Sequence, residues 1–124
     1  MHELSLARHL VEIAGDEARR AGAARVRRVR CRIGLLRQVD DLLMREAFGL
    51  AARRTLCETA ELEIEHAPLR GRCGGCGRVF AMVDWHATCP VCHTEAERLL
   101  GGDELDLVQL EVETPDDQDH PDCA

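Results

Sequence analysis

The chain has no tyrosine and no lysine, and only one tryptophan and two phenylalanines, in 124 residues. With so few rings, any core must be built from Leu, Val, Ile and Ala. The length suffices for one ordinary core, or for a small core beside a metal-stapled module. No apolar run approaches the roughly 20 residues that a membrane-spanning helix needs. The first residues carry Glu3 and further charges at helical spacing, so they do not read as a signal peptide. No Walker-type phosphate loop, nucleophile–base pair or catalytic carboxylate constellation stands out, and no enzymatic activity is expected. That all sixteen basic residues are arginine is a compositional bias. Basic residues are also missing from 101–124, which hold nine acidic ones, while residues 1–100 hold fourteen acidic and sixteen basic. The net charge of −7 is therefore mostly C-terminal. The nearly neutral body offers no general electrostatic case for nucleic acid.

What the chain does have is cysteine in a pattern. Cys73-Gly-Gly-Cys76 is followed after twelve residues by Cys89-Pro-Val-Cys92. Two such pairs point to a tetrahedral thiolate site, with zinc as the expected metal. A two-residue gap lets both sulfurs of a knuckle reach one ion from a tight turn, and Gly74, Gly75 and Gly77 can take the positive φ that such turns use. The spacer is long enough for a short hairpin. The odd total of seven cysteines, without an export signal, fits a reducing cytoplasm better than a disulfide framework. Other readings stay open. His93 could serve as an alternative zinc ligand. Cys89-Pro-Val-Cys92-His93 has the haem-attachment spacing, and Cys73–Cys76 alone could be a redox pair. A zinc ribbon that binds nucleic acid or protein could use Arg70, Arg72, Arg78 and Arg98 with Phe80 and Trp85, unless those two rings are simply the ribbon's miniature core.

The rest reads as α+β: a small mixed three-stranded sheet with two helices, plus an inserted zinc-ribbon-like module. Leu6, Leu10, Ile13 and Ala14 give a helix over 5–21, capped by Gly22. Val29, Cys31 and Ile33 alternate with Arg28, Arg30 and Arg32 as a half-buried strand, with Cys31 inside. A second helix over 41–54 has Asp40 as N-cap and Leu43, Ala47, Leu50 and Ala51 as its apolar stripe. Leu62, Ile64 and His66 alternate with Glu61, Glu63 and Glu65 in a second strand. The Arg and Glu faces could pair across strands or could simply be solvated. Seven arginines between 19 and 32 could instead form a binding patch. A last strand over about 104–113 changes parity near 107–108, as a bulge would require. Residues 1–69 and 101–113 thus form one α/β domain. Residues 70–100 form a zinc-binding module inserted between strands, and 114–124 a disordered acidic tail. Cys57 reads as a free thiol, His9 and His66 as structural, and His120 and Cys123 as tail residues.

Met1-His2-Glu3 opens the chain. A free α-amine, the His2 amide nitrogen and its imidazole stand in series and can close one five-membered and one six-membered chelate ring. Displacing the amide proton suits a late divalent metal such as nickel or copper. Glu3 could complete the coordination. After Met-His-Glu come Leu-Ser-Leu-Ala, Arg32-Ile33-Gly34-Leu35-Leu36 with Val39-Asp40, Leu62-Glu63-Ile64-Glu65, the two cysteine pairs, and Gly102-x-Glu104-Leu105. Over residues 1 to about 113 this order of motifs resembles the HypA/HybF family of nickel metallochaperones, which serve maturation of [NiFe] hydrogenase and in some organisms urease. Arg37-Gln38 departs from the small residues common there. The resemblance implies that His2 binds nickel as transferable cargo, with the Met1 amine and Glu3 as accessory donors. It implies that Cys73, Cys76, Cys89 and Cys92 hold a structural zinc, and that Asp40, besides capping, lies near the nickel site. It further implies a GTPase partner, HypB, and the hydrogenase large subunit as recipient.

Overall fold

The structure, a computed structural model, describes residues 2–82 and 87–115. Met1, Trp85, His120, Cys123 and residues 116–124 of the expected acidic tail lie outside the described residues. The chain divides into two compact units, one of residues 1–32, 39–65 and 105–124, the other of 33–38 and 66–104.

In the first unit, helix α1 (His2–Arg20) starts earlier than the apolar spacing suggests and buries Leu6, Leu10, Val11, Ala14 and Ala18. Gly22, at φ +70°, ends it. The N–H of Gly22 donates to the Arg19 carbonyl and that of Ala23 to the Ala18 carbonyl, the paired bonds of a Schellman motif. Strand β1 (Arg25–Gly34) buries Val26, Val29, Cys31 and Ile33. A short 3-10 turn (Leu35–Arg37), which belongs to the second unit, leads to helix α2 (Asp41–Ala51), whose N-cap is Asp40: its side chain accepts from the Leu43 N–H at 3.0 Å. The buried face of α2 is Met44, Ala47 and Phe48. Leu43 and Leu50, expected in the stripe, are 51% and 54% exposed. Helix α1 packs on α2 and on the last strand, so it is this packing that rotates α2 to present Met44 and Phe48.

Strands β2 (Glu61–Ala67) and β6 (Leu105–Glu113) flank β1, in the order β2-β1-β6. Arg28 reaches Glu61 and Glu63, and Arg32 reaches Glu65. The numbers rise together, so β1 and β2 run parallel and α2 is the crossover that parallel strands require. The Ala24 N–H donates to the Glu113 carbonyl and the Gly34 N–H to that of Glu104, so β1 and β6 run antiparallel and the sheet is mixed. His66, at the end of β2, is exposed rather than inward. In β6 the alternation slips one place: Leu105 and Leu107 are half-buried, then Leu110 and Val112, with Val108 and Gln109 exposed between them.

The arginine and glutamate faces do pair. Arg28 also meets Glu111 of β6 at 3.5 Å, and Arg25 and Arg27 meet Glu113. These pairs are solvent-exposed and contribute about 0–1 kcal/mol each. Burial of the opposite face, at roughly 1.5–3 kcal/mol per large apolar side chain, is what holds the sheet.

The second unit contains strands β3 (Arg70–Cys73), β4 (Val79–Ala81) and β5 (Ala96–Leu100) in the order β4-β3-β5, antiparallel throughout. Its core is small: Leu69, Cys73, Phe80, Met82 and Cys89, with Leu35, Ala87 and Ala96 packed against them. Phe80 is thus a core ring. A Cβ on Gly71 would come within 2.9 Å of the Ala96 side chain and 3.2 Å of Phe80, so a bare backbone leaves the room that ring occupies.

Candidate metal centre

Each cysteine pair sits on a turn of the same construction. Cys73 ends β3, and its Sγ accepts from the backbone N–H of Gly75 at 3.3 Å and of Cys76 at 3.4 Å. The turn closes with the Gly77 N–H donating to the Cys73 carbonyl, at φ +72° for Gly77. In the second knuckle the His93 N–H donates to the Cys89 carbonyl, and His93 has φ +61°. His93 therefore occupies the closing position that Gly77 fills in the first knuckle. Gly75 is needed because its Cβ would meet the Thr94 Oγ1 at 2.9 Å and the Cys92 Sγ at 3.4 Å.

The two turns bring the four sulfurs within 4.8 Å of one another. The Cys76–Cys89 sulfurs are 3.9 Å apart and those of Cys73 and Cys92 3.1 Å. Tetrahedral ligands at about 2.3 Å from a zinc ion stand about 3.8 Å from each other; the Cys76–Cys89 pair matches this, and Cys73 and Cys92 would part by about 0.7 Å to share one ion. Cys73 and Cys89 are buried, Cys76 and Cys92 exposed. Among the described residues this is the one group of potential ligands that close, and His93 is not part of it.

The thiols do not share charge evenly. The Thr94 hydroxyl, and then Cys73, hold the Cys92 thiol down to about 6. Backbone N–H groups of Cys92 and Val91 lower Cys89. At Cys73 the Cys76 N–H pulls down, but the hydrogen bond with Cys92 and loss of water push up, leaving it at about 11. A bare quartet thus ionises only in part, and a dication at its centre is what can hold all four as thiolates.

A non-glycine residue in the left-handed region carries about 1 kcal/mol of strain. His93→Gly is therefore expected to stabilise the zinc-loaded chain by about 1 kcal/mol with zinc content unchanged. Thermal melting with metal analysis checks this; a loss of zinc would make His93 a ligand after all.

The N-terminal residues lie in the first unit. His2 is the first residue of α1, with a 48% exposed side chain, and its Nδ1 lies 3.7 Å from a Glu3 carboxylate oxygen. Glu3 also accepts from the Asp40 N–H at 3.4 Å. Its carboxyl is held below the usual range, first by its own backbone N–H and next by that of Asp40. Sequence spacing could not show this contact, which ties the first turn of α1 to the N-cap of α2. Cys31 and Cys57 are buried elsewhere. Burial pushes Cys31 up to about 11 and Cys57 also upward, so both are inert apolar fillers. His9 is exposed. Arg72 stands opposite Arg98 in the β3–β5 register, with Arg70 on the same face.

Residues 1–112 match the family described as hydrogenase/urease nickel incorporation, metallochaperone, hypA. The chain is 38% identical to hydrogenase maturation factor HybF of Salmonella typhimurium over 113 residues, which is 91% of this chain and 100% of that one. It is 44% identical to hydrogenase maturation factor HypA of Roseiflexus sp. over 116 residues, 91% of this chain and 93% of that one. The solution structure of the Ni metallochaperone HypA from Helicobacter pylori superposes with a TM-score of 0.68 at 28% identity, covering 92% of this chain and 99% of that one.

Proposed function

The chain belongs to the HypA family, nickel-incorporation metallochaperones of hydrogenase maturation, and from that premise we propose that it carries one Ni(II) at its N-terminus and a structural zinc at Cys73, Cys76, Cys89 and Cys92. The observation that supports the nickel site most is the start of α1 at His2. The first N–H groups of a helix have no carbonyl partner within it, so ionising the His2 amide breaks no helical hydrogen bond. The positive end of the helix dipole also favours the resulting anion. The Met1 amine, this amide and the imidazole then supply three nitrogens, and Glu3, held in place by the Asp40 N–H, lies beside the imidazole as a fourth donor.

The two sites suit different tasks. Four thiolates close a zinc ion's coordination and leave no position for substrate, whereas an exposed terminal chelate can take up and release its metal. The protein thus works by binding and handing over nickel, without turnover of a substrate, in a reducing cytoplasm. Its partners are the hydrogenase large subunit as recipient and the GTPase HypB, which supplies the nucleotide-linked step for which this sequence has no phosphate loop. Urease is the second class of recipient that the family's description names.

The test is nickel titration of the chain with Met1 as its untagged first residue. His2→Ala is expected to abolish uptake of the first equivalent of nickel and to leave zinc content and helicity unchanged. An unaltered titration would sink the N-terminal site. A nucleic-acid or protein-binding zinc ribbon would be indifferent to acetylation of the terminal amine, which should abolish nickel binding here.

A further inference from the structure

Strand β6 is an edge strand, and its outer side borders a groove of about 760 Å³. One wall is residues 105–110 and 112 of β6, and the other is Ile13, Glu17 and Ala21, which recur every four residues along α1 and its C-terminal end. A groove between an open strand edge and a helix stripe is a geometry into which an extended peptide can add as a further strand. Natural edges of this length are usually guarded by charged side chains, lysine above all, by proline, by a bulge or by cover from a helix or loop. Residues 105–113 contain neither lysine nor proline, and among the described residues no strand pairs with that edge.

The backbone bonds to β1 say which groups the edge presents. The carbonyls of Glu104 and Glu113 point to β1. Antiparallel strands alternate their hydrogen-bonding direction residue by residue, so Asp106 and Glu111 also face β1. Allowing for the slip in the middle of the strand, Leu105, Leu107, Leu110 and Val112 direct their N–H and C=O groups outward. Charge then selects the occupant. A second copy of β6 bonded through these groups would pair 105 with 112 and 107 with 110. That register also sets Asp106 opposite Glu111, a like-charge pair that opposes it. The chain's own tail, residues 114–124, has two prolines and four aspartates, so it is short of two N–H groups and adds negative charge beside Asp106. The groove's ionisable side chains are Glu17, which already pairs with Arg20, and Asp106, which has no ion-pair partner among the described residues.

We propose that this groove docks an extended segment of a partner protein, apolar at alternate positions and carrying an arginine or lysine against Asp106, which adds to β6 as a fourth strand.

The experiment titrates the zinc-loaded, isotopically labelled full chain with an eight-residue peptide of alternating valine and arginine, and with one of alternating valine and glutamate. The basic peptide is expected to slow hydrogen exchange at the N–H groups of Leu105, Leu107, Leu110 and Val112 and to leave Asp106 and Glu111 as they were. Asp106→Arg, at an exposed position, should weaken the basic peptide about tenfold and improve binding of the acidic one. Equal binding of both peptides to the unaltered chain, or protection without the alternate pattern, would overturn the proposal. So would protection of those four groups in a peptide-free dimer, which would make the occupant a second copy.

Discussion

Cys89→Ser is expected to release zinc and unfold residues 68–104, while α1, α2 and the β2-β1-β6 sheet persist. Cys89 is fully buried and belongs both to the four-sulfur group and to the five-residue core of its unit. The strands there are four, three and five residues long, too short to stand on pairing alone. Structural zinc supplies about 10–16 kcal/mol of apparent binding free energy in small modules, more than so few apolar side chains can replace. A serine oxygen nearly matches the sulfur in shape but is a poor ligand beside three thiolates. Metal analysis and amide dispersion in the nuclear magnetic resonance spectrum read the two effects separately. Full zinc with a dispersed spectrum would refute the four-thiolate site. Cys31→Ala is the contrast: it removes an equally buried sulfur from the other unit and should leave zinc content intact.

Gly34→Ala is expected to cost about 3 kcal/mol or more, and the cause is space alone. Gly34 has φ −75° and ψ 149°, which alanine adopts freely. Its Cβ, however, would sit 2.2 Å from the backbone carbon and oxygen of Gly102 and 2.6 Å from a Glu104 carboxylate oxygen. The Gly34 N–H donates to the Glu104 carbonyl and the Leu36 N–H to the Gly102 carbonyl, so neither segment can withdraw without losing hydrogen bonds. Gly49 in α2 has nothing within 4 Å of its Cβ position. Gly49→Ala should therefore stabilise the chain by about 0.5–1 kcal/mol. Chemical denaturation of the two variants side by side gives opposite signs if steric fit decides. A Gly34→Ala variant as stable as the parent would mean that the close approach is absent in solution.

Features governed by nearest neighbours were legible in the sequence. Asp40 caps α2 because a side-chain oxygen needs only the N–H three residues on. The knuckles form because a two-residue gap fixes both sulfurs on one turn. The alternation of β1 survives as burial of Val29, Cys31 and Ile33. The stripe of α2 is ambiguous in the sequence because the helix is apolar around much of its circumference: the sequence allows Leu43 and Leu50 inside as readily as Met44 and Phe48, and packing chose the latter. His93 shows the same limit in the other direction. Its ligand chemistry is visible in the sequence, but its left-handed backbone, and so its role as a turn residue, is not.

By itself, then, the sequence determined the two cysteine knuckles, the two helices with the three strands of their sheet, and the family, because side-chain identity and short-range spacing are covalent facts. Only the tertiary structure decided that β1 lies between two glutamate strands, that Glu3 meets the N–H of Asp40, and that β6 is left with an open edge. These contacts join residues tens of positions apart in the chain. Which ones form depends on how the apolar faces pack together, and local pattern does not encode that.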